Sequence, residues 1–104
     1  MQARVALITC ATEENARLIA DSVVTEKLAA CVNIVPGLIS VFSWEGEIKH
    51  EKEWLLIVKT AKEQVPALES RVHELHSYST PEFVVLKPKG ISERYEEWLT
   101  AAVA

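Results

Sequence analysis

Short, β-rich apolar runs and stretches with apolar residues at helical spacing follow one another along this chain, and their order predicts strands separated by helices. The run at 5–10 is short, apolar and β-rich, which predicts a buried first strand. Thr12 then offers an N-cap hydroxyl, and the following apolar residues recur at helical spacing, which predicts a helix with one apolar face: Ala16, Ile19, Ala20, Val23, Val24 and Leu28. The stretch 31–42 is again β-branched and apolar, so it predicts a long second strand. We expect a bend or bulge within it at Pro36-Gly37.

The centre of the chain predicts a hairpin and a second helix. Glu45-Gly46-Glu47 is typical of a tight turn, and the return strand is expected from about 48 to 59. Pro66 is tolerated only in the first turn of a helix, so a helix is predicted to begin close to it. Its inward stripe is Val65, Leu68, Val72 and Leu75.

The last part of the chain completes the pattern. A fourth strand is predicted at 83–86, and Ser92 is expected to cap a short final helix from 93 to about 102. The order β-α-β-β-α-β predicts an α+β fold, a ferredoxin-like split βαβ sandwich with an extra C-terminal helix. We expect a single domain over residues 1–104.

Both faces of the predicted sheet carry apolar side chains. The runs 54–58 and 83–86 are apolar at consecutive positions, whereas helices in this architecture cover only one face. Apolar sheet of this extent is normally covered by a partner chain, so the sequence predicts an oligomer.

Composition and charge exclude several classes of protein. The chain has 104 residues, 49% of them hydrophobic, and a formal net charge of −4. A net negative charge argues against nucleic-acid binding, because contact with the phosphate backbone needs a dense basic patch. No apolar run approaches the length that a membrane span or signal peptide requires, so we expect a soluble cytoplasmic protein. In that reducing compartment Cys10 and Cys31 are expected to be free thiols, and Cys31 to be buried for packing.

The side chains that suit copper or zinc are few: Met1, Cys10, Cys31, His50, His73 and His76. His73 and His76 are three apart, so they do not form the zinc-protease motif, which requires a spacing of four. No glycine-rich phosphate loop, nucleophile elbow or Ser-His-Asp pattern is present, and we therefore expect that the protein is not an enzyme.

Five segments resemble the CutA family of divalent-cation tolerance proteins, and the resemblance extends over nearly the whole chain: Leu28–Gly37, Ser40–Gly46, Leu55–Thr60, Leu75–Glu82 and Tyr95–Leu99. The resemblance implies a compact homotrimer that acts in divalent-cation tolerance and the response to metal ions. Copper or another divalent metal is the implied ligand. The alternative function is a trimeric small-molecule sensor or scaffold like the PII signalling proteins, although the turn at 45–47 is too short for their mobile effector loop.

The resemblance also implies a copper site at Cys10 and His76. Leu75 stands where the family has a second histidine, and Thr9 is an alternative counterpart of the family's cysteine. The structural alternative is that Cys10 acts as a small buried apolar residue while His76 caps the carbonyl groups at the end of the second helix.

A second implied site is a ligand cleft between subunits. The family positions that gather there are Trp44, Lys59, Tyr78, Glu82 and Trp98, which together offer aromatic walls, a carboxylate and an ammonium group. Two serines, at 77 and 79, replace the family's proline and glutamate, which leaves one acid fewer. The alternative is that the two tryptophans only pack at a subunit interface.

Overall fold

The chain forms one four-stranded sheet and three α-helices in the computed structural model, which describes residues 2–104. The elements are β1 (Ala3–Cys10), α1 (Glu13–Thr25), β2 (Cys31–Trp44), β3 (Glu47–Ala61), α2 (Val65–Leu75), β4 (Val84–Leu86) and α3 (Glu93–Ala102). A single 3₁₀ turn, Lys62–Gln64, leads from β3 into α2. Met1, considered above as a metal donor, lies outside the described residues. No helix within residues 2–104 has the length and apolar character that crossing a bilayer would need.

The sheet has the order β2-β3-β1-β4, and every neighbouring pair is antiparallel. This confirms the predicted α+β class and the split βαβ order. The predicted helix caps are also confirmed. Thr12 Oγ1 accepts a hydrogen bond from the Asn15 backbone at 3.1 Å, and Ser92 Oγ accepts one from Tyr95 at 3.4 Å.

The main core lies between the sheet and helices α1 and α2. Side chains alternate along a strand, and the members of β1 and β3 that point toward the helices are fully buried: Ala6, Ile8, Cys10, Leu56 and Val58. They meet the predicted apolar faces of the helices: Ala16, Ile19, Val23, Leu68 and Val72. Val24, predicted to belong to this face, is instead 41% exposed, because it lies at the edge of the helical stripe.

The opposite face of the sheet is covered only at one end, by α3. Leu99 and Val103 pack against alanines at the ends of the strands, which leave room for a helix to approach closely: Ala3, Ala30 and Ala61. The rest of this face stays open in the protomer, because no helix reaches it.

A two-stranded arm extends from the sheet, and it consists of residues 38–53. It arises because β1 pairs only with the 54–61 part of β3, which leaves the outer halves of β2 and β3 paired with each other alone. The predicted bulge separates the arm from the sheet between Val35 and Leu38, where Gly37 has a φ of 79°. At the tip, Glu45 and Gly46 both have positive φ, as a two-residue hairpin turn requires.

Candidate functional site

A cleft of about 900 Å³ lies between the arm and the loop that follows α2. Three of the residues that the sequence assigned to a ligand cleft line it, namely Trp44, Tyr78 and Glu82. Phe42 adds a further aromatic wall, and Glu51 a further carboxylate. The volume is within the range of about 300–1,000 Å³ that small-molecule sites occupy.

The cleft floor is built around a buried carboxylate, Glu53, at the base of the arm. Glu53 is only 4% exposed, and its Oε2 accepts a hydrogen bond of 2.7 Å from the Tyr78 hydroxyl. Burial raises the pKa of Tyr78 above its usual value, and the bond to Glu53 raises this pKa further. Tyr78 therefore stays a hydrogen-bond donor at every physiological pH.

Glu82 brings a second carboxylate to the same cleft. Partial burial raises its pKa above the usual value, and the charge of Glu53 adds to that effect. The lining also contains Glu51, while Lys49 supplies a positive charge. A bound cation would relieve the repulsion between these carboxylates, so the electrostatics of the cleft favour positively charged ligands.

His76 is buried at the C-terminal end of α2, and both of its ring nitrogens have partners. Nδ1 accepts a hydrogen bond from the Tyr78 backbone N–H at 3.0 Å. Nε2 lies 2.8 Å from the carbonyl oxygen of Thr9, to which it must donate. These two partners together assign the neutral Nε2–H tautomer. The ring does not cap the α2 carbonyls; it joins the end of α2 to the end of β1.

Cys10 lies next to this histidine, as the predicted copper site requires. Its Sγ is 3.8 Å from His76 Nε2. Burial raises the pKa of the Cys10 thiol to about 11, with a further contribution from the charge of Glu53. A copper or zinc ligand must be a thiolate, so this environment opposes binding.

The donors within one protomer do not fit a tightly bound copper ion. The His76 nitrogens are occupied, Cys10 holds its proton, and Leu75 has no donor atom. Nowhere in residues 2–104 do three or more histidine, cysteine, aspartate or glutamate side chains converge in a way that could hold a metal. A metal bound at Cys10 and His76 would have to displace the existing hydrogen bonds.

Lys59 and Trp98, assigned to the same cleft from the sequence, do not line it within the protomer. Lys59 lies six residues further along β3 than Glu53, outside the cleft, and its ammonium group donates to Asn33 Oδ1. Trp98 stacks at a ring distance of 5.5 Å on Tyr95, on the exposed side of α3. A contribution of either residue to the cleft therefore requires a second subunit.

The prediction that Cys31 is buried is wrong for the protomer. Cys31 is partly exposed on the sheet face opposite α1 and α2, because its register partner Lys59 lies on that face. Sequence reasoning also missed Asn15, whose amide nitrogen donates to the carbonyl of Leu75 at 3.0 Å and whose oxygen accepts from Ser77 at 3.2 Å. An asparagine three residues after an N-cap gives no sequence signal of such a contact.

Comparisons with known proteins match CutA proteins over nearly the whole length of the chain. The sequence model of the CutA1 divalent ion tolerance protein family matches residues 4–102. The chain is 50% identical over 95 residues to the divalent-cation tolerance protein CutA of Thermus thermophilus, covering 91% of this chain and 92% of that protein. It is 44% identical over 95 residues, 91% of its length, to the chloroplastic protein CutA of Arabidopsis thaliana, of which it spans 52%. The solved structure of the periplasmic divalent cation tolerance protein CutA from Archaeoglobus fulgidus superposes with a TM-score of 0.95 at 34% identity, over 98% of this chain and 99% of that one.

Proposed function

This chain belongs to the CutA1 divalent ion tolerance protein family, and from that premise we propose that it acts in divalent-cation tolerance as a homotrimer. Its working site is the cleft beside Tyr78 and Glu82, where it contacts divalent cations reversibly. A resident metal centre inside one protomer forms no part of this proposal.

The observation that carries the proposal is that three carboxylates, those of Glu51, Glu53 and Glu82, line one cleft. Partial burial and the negative charge of Glu53 raise the pKa of Glu82 above its usual value, so its charged form carries an energetic penalty. A divalent cation between the two groups would remove this penalty, and carboxylate oxygens suit hard cations such as Mn²⁺. Since one protomer offers too few ligands, water and groups of a second subunit complete the coordination.

The homotrimer is supported by apolar residues that the protomer leaves in water. On the arm, Ile39 is 73% exposed, Val41 61% and Ile48 65%. The edge strand β4 is also exposed throughout. A two-stranded arm is marginally stable by itself, and a bare apolar edge strand invites pairing, so both features favour burial against other subunits.

The proposal also includes copper at Cys10 and His76. The two side chains are close enough to share an ion, and thiolate with imidazole suits copper. However, binding there has to deprotonate a thiol with a pKa of about 11 and free a ring nitrogen that already has a partner. We therefore expect weak, pH-dependent copper binding.

One observation favours the second candidate function, a small-molecule sensor of the PII type. The aromatic walls formed by Phe42, Trp44 and Tyr78 exceed what a metal ion needs, and the cleft volume of about 900 Å³ suits an organic ligand. Enzyme activity is not part of either function. We keep the cytoplasm as the proposed location, although the relatives named above include a chloroplastic and a periplasmic protein.

The experiment that tests the cleft is a calorimetric titration of the purified oligomer with Mn²⁺. Glu82→Gln removes the charge without changing the shape, and Glu69→Gln, on the exposed surface of α2, is the matched control. We expect Glu82→Gln to weaken binding by about threefold or more, which corresponds to about 0.7 kcal/mol. Equal affinities in the wild type and both variants would remove cation binding from this cleft.

A further inference from the structure

A second cavity lies at the opposite end of β1 from the cleft. It has a volume of about 330 Å³ and is bounded by the start of β1, the loop 87–91 and the first turn of α3. Its charged lining consists of Arg4, Lys87, Lys89 and Glu96. Three cations therefore share one concave surface in a chain whose formal net charge is −4.

None of the three cations has a carboxylate partner. Over residues 2–104, the ion pairs of basic side chains involve Arg17, Lys49 and Arg71 only. Arg4, Lys87 and Lys89 thus remain available to a ligand. Like charges that line one cavity repel each other, so an anion placed among them would be attracted to all three.

Arg4 is the fixed element of the cavity. Its guanidinium is half-buried and donates to the carbonyl oxygen of Ala3 at 2.9 Å and to the side-chain oxygen of Gln2 at 3.1 Å. These bonds use two of its five N–H groups and hold the plane of the guanidinium. The remaining donors are oriented in advance, which reduces the entropy lost on binding.

The backbone of the loop adds donors to the same cavity. Lys89, Gly90 and Ile91 line it, and their N–H groups donate no hydrogen bond to any of residues 2–104. Gly90 carries no side chain, so an oxygen atom can approach its backbone closely. Unpaired amides beside cationic side chains form the type of surface that binds oxyanions.

We propose that this cavity binds a small, multiply charged phosphate anion, with inorganic pyrophosphate as the representative of the class. Arg4 contacts the anion in a fixed orientation, Lys87 and Lys89 neutralise its charge, and the 89–91 amides contact its oxygens. Glu96 lies on the α3 side of the cavity and opposes binding, so it keeps the affinity moderate. The site is separate from the acidic cleft and does not depend on the function proposed there.

The test is calorimetric titration of the full-length oligomer with pyrophosphate at an ionic strength of about 20 mM, where surface charges are little screened. We expect saturable binding in the wild type. The double variant Lys87→Gln/Lys89→Gln should weaken it by about tenfold or more, and Glu96→Gln should strengthen it by about threefold. Lys52→Gln removes an exposed charge from the arm and should leave the affinity unchanged.

Three outcomes would overturn the proposal. The first is the absence of saturable pyrophosphate binding in the wild type, and the second is binding that survives the double lysine substitution. The third is a loss of affinity in Lys52→Gln that equals, per charge removed, the loss in the double lysine variant. That result would show that only the net charge of the protein affects pyrophosphate binding. Because the substituted lysines are exposed, we expect the variants to fold. A shift of the Gly90 amide NMR resonance during the titration locates the bound anion independently.

Discussion

Tyr78 is bonded at both of its ends: its hydroxyl donates to Glu53 Oε2 at 2.7 Å, and its backbone N–H donates to His76 Nδ1 at 3.0 Å. The first bond ties the loop after α2 to the base of the arm. The second ties the same loop to the junction of α2 and β1, since His76 also reaches the carbonyl of Thr9. The two bonds together fix one wall of the cleft to two different parts of the fold.

We therefore predict that Tyr78→Phe destabilises the protein. The substitution leaves the carboxylate of Glu53, which is 4% exposed, without the hydrogen bond from the Tyr78 hydroxyl. An unsatisfied buried group of this kind costs about 1–3 kcal/mol, which is measured as a lower free energy of unfolding in urea. Glu53→Gln is the matched control, because its amide oxygen still accepts the bond from Tyr78. If Tyr78→Phe lowered the free energy of unfolding no more than Glu53→Gln does, the hydrogen bond between Tyr78 and Glu53 would contribute little to stability.

Most of the fold could be predicted because its signals are local. Pro36-Gly37 marks the bulge that separates the sheet from the arm, and Thr12 and Ser92 mark the starts of two helices. The helical spacing of apolar residues in α1 and α2 likewise identifies the side chains that these helices contribute to the main core. Each of these features depends on residues within a few positions of one another.

The candidate site was predicted only in part, because it depends on distances that no local pattern contains. Glu53 and Lys59 belong to the same strand and the same face, but six residues of strand place them about 20 Å apart. Lys59 therefore cannot reach the cleft of its own protomer. The role of Glu53 was missed because its partner, Tyr78, lies 25 residues away in the sequence. The exposure of Cys31 depends on where α3 crosses the sheet. The short amphipathic pattern of α3 does not reveal that position.

The stability of the protein should depend on the protonation of Glu82. Burial and Glu53 raise the pKa of Glu82 in the folded state above the usual value of 4.5. The neutral form is thus favoured by folding, and this contribution is present at low pH and lost as the pH rises through the folded-state pKa. Glu82→Gln cannot ionise, so its thermal midpoint should exceed that of the wild type at pH 7, and the difference should disappear near pH 4. A difference that is independent of pH would assign the effect to packing.

The proposed homotrimer predicts a specific response to charge on the arm. Ile39 is 73% exposed in the protomer, so Ile39→Asp should scarcely affect an isolated chain but should be costly within a subunit interface. Sedimentation equilibrium should show the wild type at three times the chain mass of 11.6 kDa and the variant at a lower mass. Obligate assemblies lose stability when they dissociate, so the variant should also melt earlier. Leu18→Asp, at the 49% exposed Leu18 of α1, should remain trimeric. A wild-type protein at 11.6 kDa would contradict the prediction outright.

Copper binding, where it occurs, should depend on Cys10 and His76. The two side chains lie 3.8 Å apart, and both must be deprotonated at the ligating atom. The pKa of Cys10 is about 11, so at lower pH a proton has to be released for every copper ion bound through this thiol. Affinity should therefore rise by up to about tenfold per pH unit between pH 6 and pH 8. Competition titration against a chelator of known affinity gives the constants.

Three variants separate this site from adventitious binding. Cys10→Ser and His76→Ala each remove one ligand and should weaken copper binding by about tenfold or more. Cys31→Ser is the matched control, since it removes the other thiol, which is partly exposed and lies on the opposite face of the sheet. Because His76→Ala also removes the bonds to Thr9 and Tyr78, its thermal midpoint without copper has to be measured alongside. If Cys31→Ser lowered the affinity while Cys10→Ser did not, the metal would be bound at the exposed thiol, and the Cys10–His76 pair would be purely structural.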